Sequence, residues 1–98
     1  MALSGRAFPS PAAEYLQPVL NLQDFVVEHP TSTFFARASA DLGFDIWMND
    51  LLVIDRSLTP ADGALVLVVC EGQFEVRQLS AKEPVQVWGV ITYILHKT

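Results

Sequence analysis

The sequence contains little cysteine and few basic residues. Its single Cys70 cannot form an internal disulfide, and His29 and His96 stand too far apart, with no cysteine beside them, to give zinc-binding spacing. Six Lys and Arg oppose eleven Asp and Glu, so the net charge is −5, and the basic residues are scattered singly. Because a phosphate backbone is bound by a basic face, we expect no direct contact with nucleic acid. We expect no metal and no other cofactor either.

Long apolar runs are also lacking. The longest unbroken one, Ala64 to Cys70, is far too short to span a bilayer, and the first residues do not form the apolar segment of a signal peptide. The chain is nevertheless 51% hydrophobic and only 17% charged, which is the composition of a folded protein. With 98 residues it has room for one hydrophobic core. We therefore expect a single cytoplasmic domain that does not contact a membrane.

Two prolines divide the chain into an arm and a domain. Pro9 and Pro11 fix φ at two nearby positions and remove two amide donors. Residues 1–11 are therefore predicted to form an extended N-terminal arm, and residues 12–98 the single domain.

A short helix is predicted near the start of this domain. Asn21 can act as its N-cap, and Leu22, Phe25 and Val26 make one apolar stripe until Pro30 stops the helix. Beyond this proline the pattern changes to that of β-strands.

The clearest predicted strands form a hairpin. Ala64 to Cys70 and Gln73 to Leu79 are seven residues each, and the pair Glu71-Gly72 between them suits a tight two-residue turn. This turn places Cys70 opposite Gln73 and sets the register of the residues that follow. The first hairpin strand is apolar on both faces, so we expect both faces to be covered.

Further strands are predicted on either side of the hairpin. Two short ones cover Thr33 to Arg37 and Leu51 to Ile54, and a long central one covers Val85 to Leu95, where Gly89 marks a bend or bulge. The predicted fold class is therefore mostly β, with one short helix.

Three stretches of the chain resemble the LexA/UmuD family of self-cleaving SOS-response proteins, and UmuD more than LexA. They are Phe8 to Tyr15, residues 21–39 with their helix, His-Pro turn and strand, and Asn49 to Asp55 with the hairpin that follows. The first is similar to the segment after the scissile bond in UmuD, and the third to the family's Gly-Asp-Leu-Leu-Ile-Val-Asp strand. The resemblance implies the small C-terminal β domain of this family, assembled as a homodimer.

The family cleaves itself with a serine nucleophile and a lysine base, and both are replaced here. Where the family reads Ala-Ser-Gly-Asp-Ser-Met, Leu42 stands at the nucleophile, and where it reads Phe-x-Val-Lys, Arg77 stands at the base. Leucine has no lone pair to attack a carbonyl, and a guanidinium stays protonated at neutral pH. Against the family pattern, two residues are also missing near Asp45, and the segment from Leu79 to Val85 is shorter. We therefore expect a degenerate autopeptidase that is not an enzyme.

The N-terminal arm supplies one set of predicted binding residues. Only seven residues precede Phe8, and Arg6-Ala7 stands where the family has its scissile pair, so the chain resembles UmuD′, the processed form of UmuD. In the family the freed arm pairs with a second copy. The resemblance therefore implies binding through Phe8, Pro9, Pro11 and Tyr15.

The loop before Leu51 supplies the others. Phe44 and Trp47 lie there among polar residues, where aromatic side chains either anchor an interface or fill the space of the vanished active site. Asp50 and Asp55 bracket the following strand and are expected to be solvated turn residues rather than paired catalytic carboxylates.

Three further polar residues are expected to have structural roles. Ser39 is expected to be a hydrogen-bonding residue on its strand, and Cys70 a small buried hydrophobe, although either could serve as the nucleophile of a residual hydrolase. Arg77 is expected to form a surface ion pair with Glu75, its neighbour on the same face.

The resemblance leads to one functional hypothesis and leaves two alternatives open. The chain is expected to be a non-catalytic UmuD′-like accessory module for SOS mutagenesis and DNA repair, which binds a UmuC-like Y-family polymerase subunit in translesion synthesis. One alternative is a decoy that heterodimerises with an active UmuD- or LexA-like autopeptidase. The other is a residual serine or cysteine hydrolase that uses Ser39 or Cys70.

Overall fold

The computed structural model describes residues 22–82 and 85–98, and these form one antiparallel sheet of five strands. The strands are β1 (Thr33–Arg37), β2 (Leu51–Asp55), β3 (Leu65–Cys70), β4 (Gln73–Gln78) and β5 (Val87–Leu95). Their order across the sheet is β1-β2-β5-β3-β4, so the last strand in sequence lies in the middle and β1 and β4 form the edges. The predicted mostly β class is confirmed. The predicted arm, residues 1–11, lies outside the described residues.

The predicted hairpin is confirmed in position and register. Cys70 pairs with Gln73, and the pairing continues without a shift along β3 and β4. Glu71 and Gly72, the two turn residues, have φ of 52° and 78°, the left-handed pair that a type I′ turn requires. This turn is common between two adjacent strands because its twist matches theirs.

The helix is shorter than predicted. Helix α1 (Leu22–Val26) ends before Pro30, which instead begins a 3₁₀-helix (Pro30–Ser32), where its missing amide donor costs no hydrogen bond. Of the predicted apolar stripe only Val26 is buried, whereas Phe25 is 62% exposed and touches the sheet through Tyr93. No helix among the described residues is long and apolar enough to cross a membrane.

The core lies on both faces of the three inner strands. One face carries the larger cluster of buried side chains, which consists of Ala38, Ile46, Leu52, Ile54, Leu67 and Ile91. The other carries Val66, Val68 and Val90, with partly buried Ala64, Leu79, Val85 and Val87 against them. Successive side chains of a strand point to opposite faces, which places alternate residues of β3 in the two clusters. The predicted covering of both faces of this strand is confirmed.

The central strand β5 is irregular where the sequence predicted a bend. Its register shifts against β3 between Leu67 and Val68, which leaves Trp88 as an extra residue beside Gly89. A Cβ atom on Gly89 would lie 2.5 Å from Cγ2 of Ile54. Glycine is therefore required here by the close approach of β2.

Candidate functional site

An open pocket of about 420 Å³ lies between residues of the two edge strands. The end of β1 and the loop after it form one wall, β2 and β3 contribute apolar side chains, and β4 forms the other wall. The lining residues are Ala36, Arg37, Ala38, Ser39, Leu42, Leu52, Leu67, Phe74, Glu75 and Val76. Because most of these side chains are apolar, the pocket is suited to contact with carbon-rich groups.

Leu42 enters this pocket from the loop between β1 and β2. Its amide donates a hydrogen bond to the Ile46 carbonyl oxygen at 3.0 Å, and the Ile46 amide donates to the Gly43 carbonyl oxygen at 2.9 Å. Ile46 is only 2% exposed and belongs to the larger core cluster, which holds the loop on the sheet. The predicted nucleophile position therefore presents an apolar side chain on a well-anchored loop.

Arg77 follows the pocket-lining Val76 on β4, and because successive side chains alternate it lies on the opposite face of the sheet, opposite Val66. Its Nη2 and Nε atoms donate to Oε2 of Glu75 at 2.9 and 3.3 Å, which confirms the predicted ion pair. Both side chains are nearly half exposed, so the pair adds little to stability. Glu75 lines the pocket together with Leu42. Of the two predicted catalytic positions, the structure therefore places Leu42 in the lining of the pocket and Arg77 outside it.

The two alternative nucleophiles occupy different surroundings. Ser39 was expected on a strand but lies two residues beyond the end of β1, where it is exposed and lines the pocket. Cys70 ends β3 at the hairpin turn and is half-buried, so it is more accessible than the expected core position.

The aromatic residues of the β1–β2 loop are exposed. Phe44 is 45% and Trp47 is 53% exposed, and between them Ile46 is the residue that fills the core. The alternative in which the two rings plug the core is therefore wrong. The other predicted binding residues, Phe8, Pro9, Pro11 and Tyr15, lie outside the described part of the chain.

Two buried carboxylates, one at each end of β2, correct another sequence-based expectation. Asp50 and Asp55 were expected to be solvated, but they are 2% and 4% exposed. Asp50 accepts hydrogen bonds from Nδ1 of His96 at 2.6 Å and from the Trp47 amide at 2.9 Å. The Trp47 bond lowers the pKa of Asp50, with burial opposing and His96 assisting.

The second pair joins His29 to Asp55. Nδ1 of His29 donates to Oδ2 of Asp55 at 2.6 Å, and Ser57 donates to Oδ1 through its amide and its hydroxyl. Burial acts to raise the pKa of Asp55, but the bonds from Ser57 and His29 outweigh it and lower that pKa to about 2. The bond to Asp55 raises the pKa of His29 above its ordinary value of 6.5.

These pairs link distant parts of the chain to the sheet. Each histidine lies just outside the sheet and each aspartate at an end of β2, so the pairs fasten the α1–β1 connection and the C-terminus to the inner sheet. Within residues 22–82 and 85–98, no group of three or more His, Cys, Asp or Glu side chains is placed to hold a metal.

Comparison with known proteins places the chain in a family. No protein-family model matches it. SamA of Salmonella typhimurium is 33% identical over 110 aligned positions, which cover 93% of this chain and 79% of SamA. ImpA of Escherichia coli is 33% identical, with 93% of this chain and 77% of ImpA covered. MucA of Salmonella typhimurium is 34% identical, with 90% and 76% covered.

The alignment lengths show that the relatives carry additional residues. The alignment with SamA is longer than the whole chain of 98 residues, so SamA carries residues that this chain lacks. Identity above 30% across most of both proteins indicates common descent. The chain therefore belongs to the UmuD family of SOS mutagenesis proteins and has a role in SOS mutagenesis.

Proposed function

We propose that the chain is a non-catalytic, UmuD′-like accessory module that works in the cytoplasm and binds a UmuC-type Y-family polymerase subunit during translesion synthesis. The observation that carries the proposal is the double substitution of Leu42 and Arg77 at the nucleophile and base positions of the family motif. A chain that keeps the sheet but has neither reactive group can still act by binding other proteins through its surface.

The surroundings of the pocket support the absence of catalysis. Leu42 offers only carbon atoms to the pocket, and the guanidinium of Arg77 is bound to the carboxylate of Glu75. A guanidinium stays protonated at neutral pH and cannot accept the proton of a nucleophile. Since nucleophile and base act as a unit, the loss of both is expected to leave no Ser/Lys chemistry.

Co-purification with a polymerase subunit tests the binding function. The full chain and a UmuC-type subunit from the same genome are co-expressed, with a tag on the polymerase only. We expect the chain to elute with the polymerase in affinity purification and again in size exclusion. Failure to associate, together with a neighbouring gene unrelated to DNA damage, would overturn the proposal.

Probe labelling tests the absence of hydrolytic chemistry. The folded chain is treated with a fluorophosphonate and with a thiol-directed probe, beside the variants Ser39→Ala and Cys70→Ala. A serine hydroxyl reacts with a fluorophosphonate when a neighbouring base activates it, and we expect no such activation and no adduct at the exposed Ser39. Half-buried Cys70 is expected to react no faster than a free cysteine peptide. Covalent labelling that Ser39→Ala abolishes would support a residual hydrolase instead.

A decoy function has one observation in its favour, which is that the pocket remains open on a chain without a nucleophile. Such a pocket could hold an extended segment of an active relative without cleaving it. The test mixes the chain with a self-cleaving UmuD-type protein and follows the cleavage rate of that protein. Under the leading proposal the rate is unchanged, whereas a rate that depends on the concentration of the added chain identifies a decoy.

A further inference from the structure

The loop between β1 and β2 presents an unusual apolar surface. We name residues 41–49 the apolar loop. Four of its large apolar side chains are 39% to 57% exposed, and they are Leu42, Phe44, Trp47 and Met48. Scattered exposed apolar residues need no explanation, but here four lie within seven consecutive positions, and Phe44 and Trp47 line one pocket. Concentrated apolar surface of this kind marks interaction sites.

The apolar loop is held in one conformation by hydrogen bonds at both ends. Oδ1 of Asp41 accepts the Met48 amide at 2.8 Å, and the buried carboxylate of Asp50 accepts the Trp47 amide at 2.9 Å. The Asn49 amide donates to the Ala38 carbonyl oxygen at 2.8 Å. A surface fixed in this way loses little conformational entropy on binding, which favours affinity.

The tip of the apolar loop is a tight turn whose backbone is left-handed. Gly43, Phe44 and Asp45 adopt φ of 77°, 54° and 62° in succession. This left-handed conformation is unfavourable for a residue with a bulky side chain such as phenylalanine. Phe44 keeps this conformation although nearly half of its side chain remains in water. The tight turn that Gly43 and Ile46 close accounts for the positive φ of Phe44 and Asp45, whereas the exposure of Phe44 is not explained by packing within the described chain.

The charges of the loop indicate which kind of surface could cover it. Residues 38–50 contain three aspartates and no Lys or Arg, and one cation, Arg37, donates to the Asn49 carbonyl oxygen at the base of the loop. Asp50 is buried against His96, whereas Asp41 and Asp45 are exposed on the loop. A second copy docked loop to loop would bring these carboxylates against their own counterparts, and an anionic membrane would repel them. A partner with basic groups around an apolar groove complements both features.

We propose that the apolar loop is the docking element of this chain, and that it inserts Phe44 and Trp47 into an apolar groove of a protein partner whose rim carries Lys or Arg. This inference rests on the proposed function, in which the partner is the UmuC-type polymerase subunit. The two rings serve as the buried anchors, and Asp41 and Asp45 contact the basic rim.

The test measures the affinity of the purified chain for the UmuC-type subunit by calorimetry or interferometry. Phe44→Ser and Trp47→Ser are each expected to weaken binding by tenfold or more, as substitutions of central aromatic anchors do. The matched control is Phe35→Ser, which removes an aromatic ring of similar exposure from β1 and is expected to leave the affinity unchanged. Circular dichroism and thermal unfolding confirm that each variant is folded.

The two proposals fail in different ways. If the wild type binds the polymerase and both loop variants bind equally well, the docking proposal is overturned and the proposed function stands. If the wild type does not bind, the proposed function is overturned together with its docking element.

A charge variant and two alternative occupants complete the test. Asp45→Asn removes the charge while keeping a side chain that tolerates a left-handed φ, and it is expected to weaken binding severalfold at low salt and little at high salt. Dissociation of a homodimer by Phe44→Ser in sedimentation would instead identify a second copy as the occupant. Co-sedimentation of the wild type with phosphatidylserine vesicles would identify a membrane, and either result overturns the proposal.

Discussion

His29 and Asp55 form a pair whose charge depends on pH. The hydrogen bond raises the pKa of His29 above 6.5, while the pKa of Asp55 falls to about 2. The stabilisation from His29 is complete below pH 6.5 and is lost as the pH rises through its raised pKa. The stabilisation from Asp55 is complete above about pH 4 and is lost as the pH falls towards 2. The pair therefore contributes most between about pH 4 and 6.5.

NMR titration of the imidazole ring checks this prediction. The midpoint of His29 is expected above 6.5 in the wild type and lower in Asp55→Asn, which removes the charge that holds the proton. An identical midpoint in both proteins would show that His29 and Asp55 do not interact in solution.

Gly89 is the position where a single methyl group is expected to matter most. In Gly89→Ala the new Cβ meets Cγ2 of Ile54, so β2 and β5 must move apart, at a cost of about 1–3 kcal/mol in unfolding free energy. Urea denaturation measures this loss. In the double variant Gly89→Ala/Ile54→Ala the two losses are expected to be less than additive, because the second substitution removes the atom that clashes. Strict additivity would place the cause elsewhere.

The aspartates show where prediction from sequence failed at this scale. Asp50 and Asp55 flank a strand in the positions of ordinary turn residues, and nothing near them in sequence indicates burial. Their partners lie 46 and 26 residues away, at His96 and His29. Each histidine becomes a neighbour only once β5 and the 3₁₀-helix are in place, so the pairs follow from the tertiary fold and not from a local pattern.

Among the elements, the β3–β4 hairpin has a turn that is not optimal. Glu71 has a φ of 52°, a conformation that asparagine tolerates better than glutamate. Glu71→Asn is expected to raise the unfolding free energy by about 0.5–1 kcal/mol. The control Glu71→Gln removes the same charge but keeps the backbone penalty, so it is expected to give no gain. Equal stabilisation by both variants in thermal unfolding would attribute the effect to charge.

The hairpin and the helix differ in how well their sequences predicted them. The hairpin depends on adjacent residues, and Glu71-Gly72 between two alternating runs was enough to give its register. The length of the helix depends on how much of its apolar stripe packs against the sheet, because a helix of five residues is too short to be stable through its own hydrogen bonds. Of the stripe only Val26 is buried, so the helix ends there and does not reach Pro30.

For the molecule as a whole, the strand order predicts the pattern of hydrogen exchange. Strands β2, β5 and β3 are paired on both sides, whereas β1 and β4 are each paired on one side within the described chain. Amides of the inner three strands are therefore expected to exchange slowest. Those of β1 and β4 are expected to exchange faster, because an edge strand can detach while the inner strands stay paired. Exchange measured by NMR resolves each strand, and β1 amides protected as strongly as those of β5 would contradict this order.

The site could be predicted from sequence only in part. The positions of Leu42 and Arg77 follow from short motifs, but of the two the structure places Leu42 alone in the lining of the pocket. The burial of Ile46 between two exposed aromatic residues could not be predicted, because all three are large and apolar and only the conformation of the loop decides which one faces the sheet.

The edge strand β1 has a consequence for handling the protein. Its side chains Phe34 and Phe35 are 46% and 56% exposed, and its one charged residue, Arg37, donates to the Asn49 carbonyl oxygen. An exposed strand edge with apolar side chains and little charge can pair with the same edge of another molecule, which extends the sheet between molecules. Aggregation is therefore expected to begin at β1 and to be fastest near pH 4.7, where the net charge vanishes, so storage at neutral pH and low concentration suits this chain.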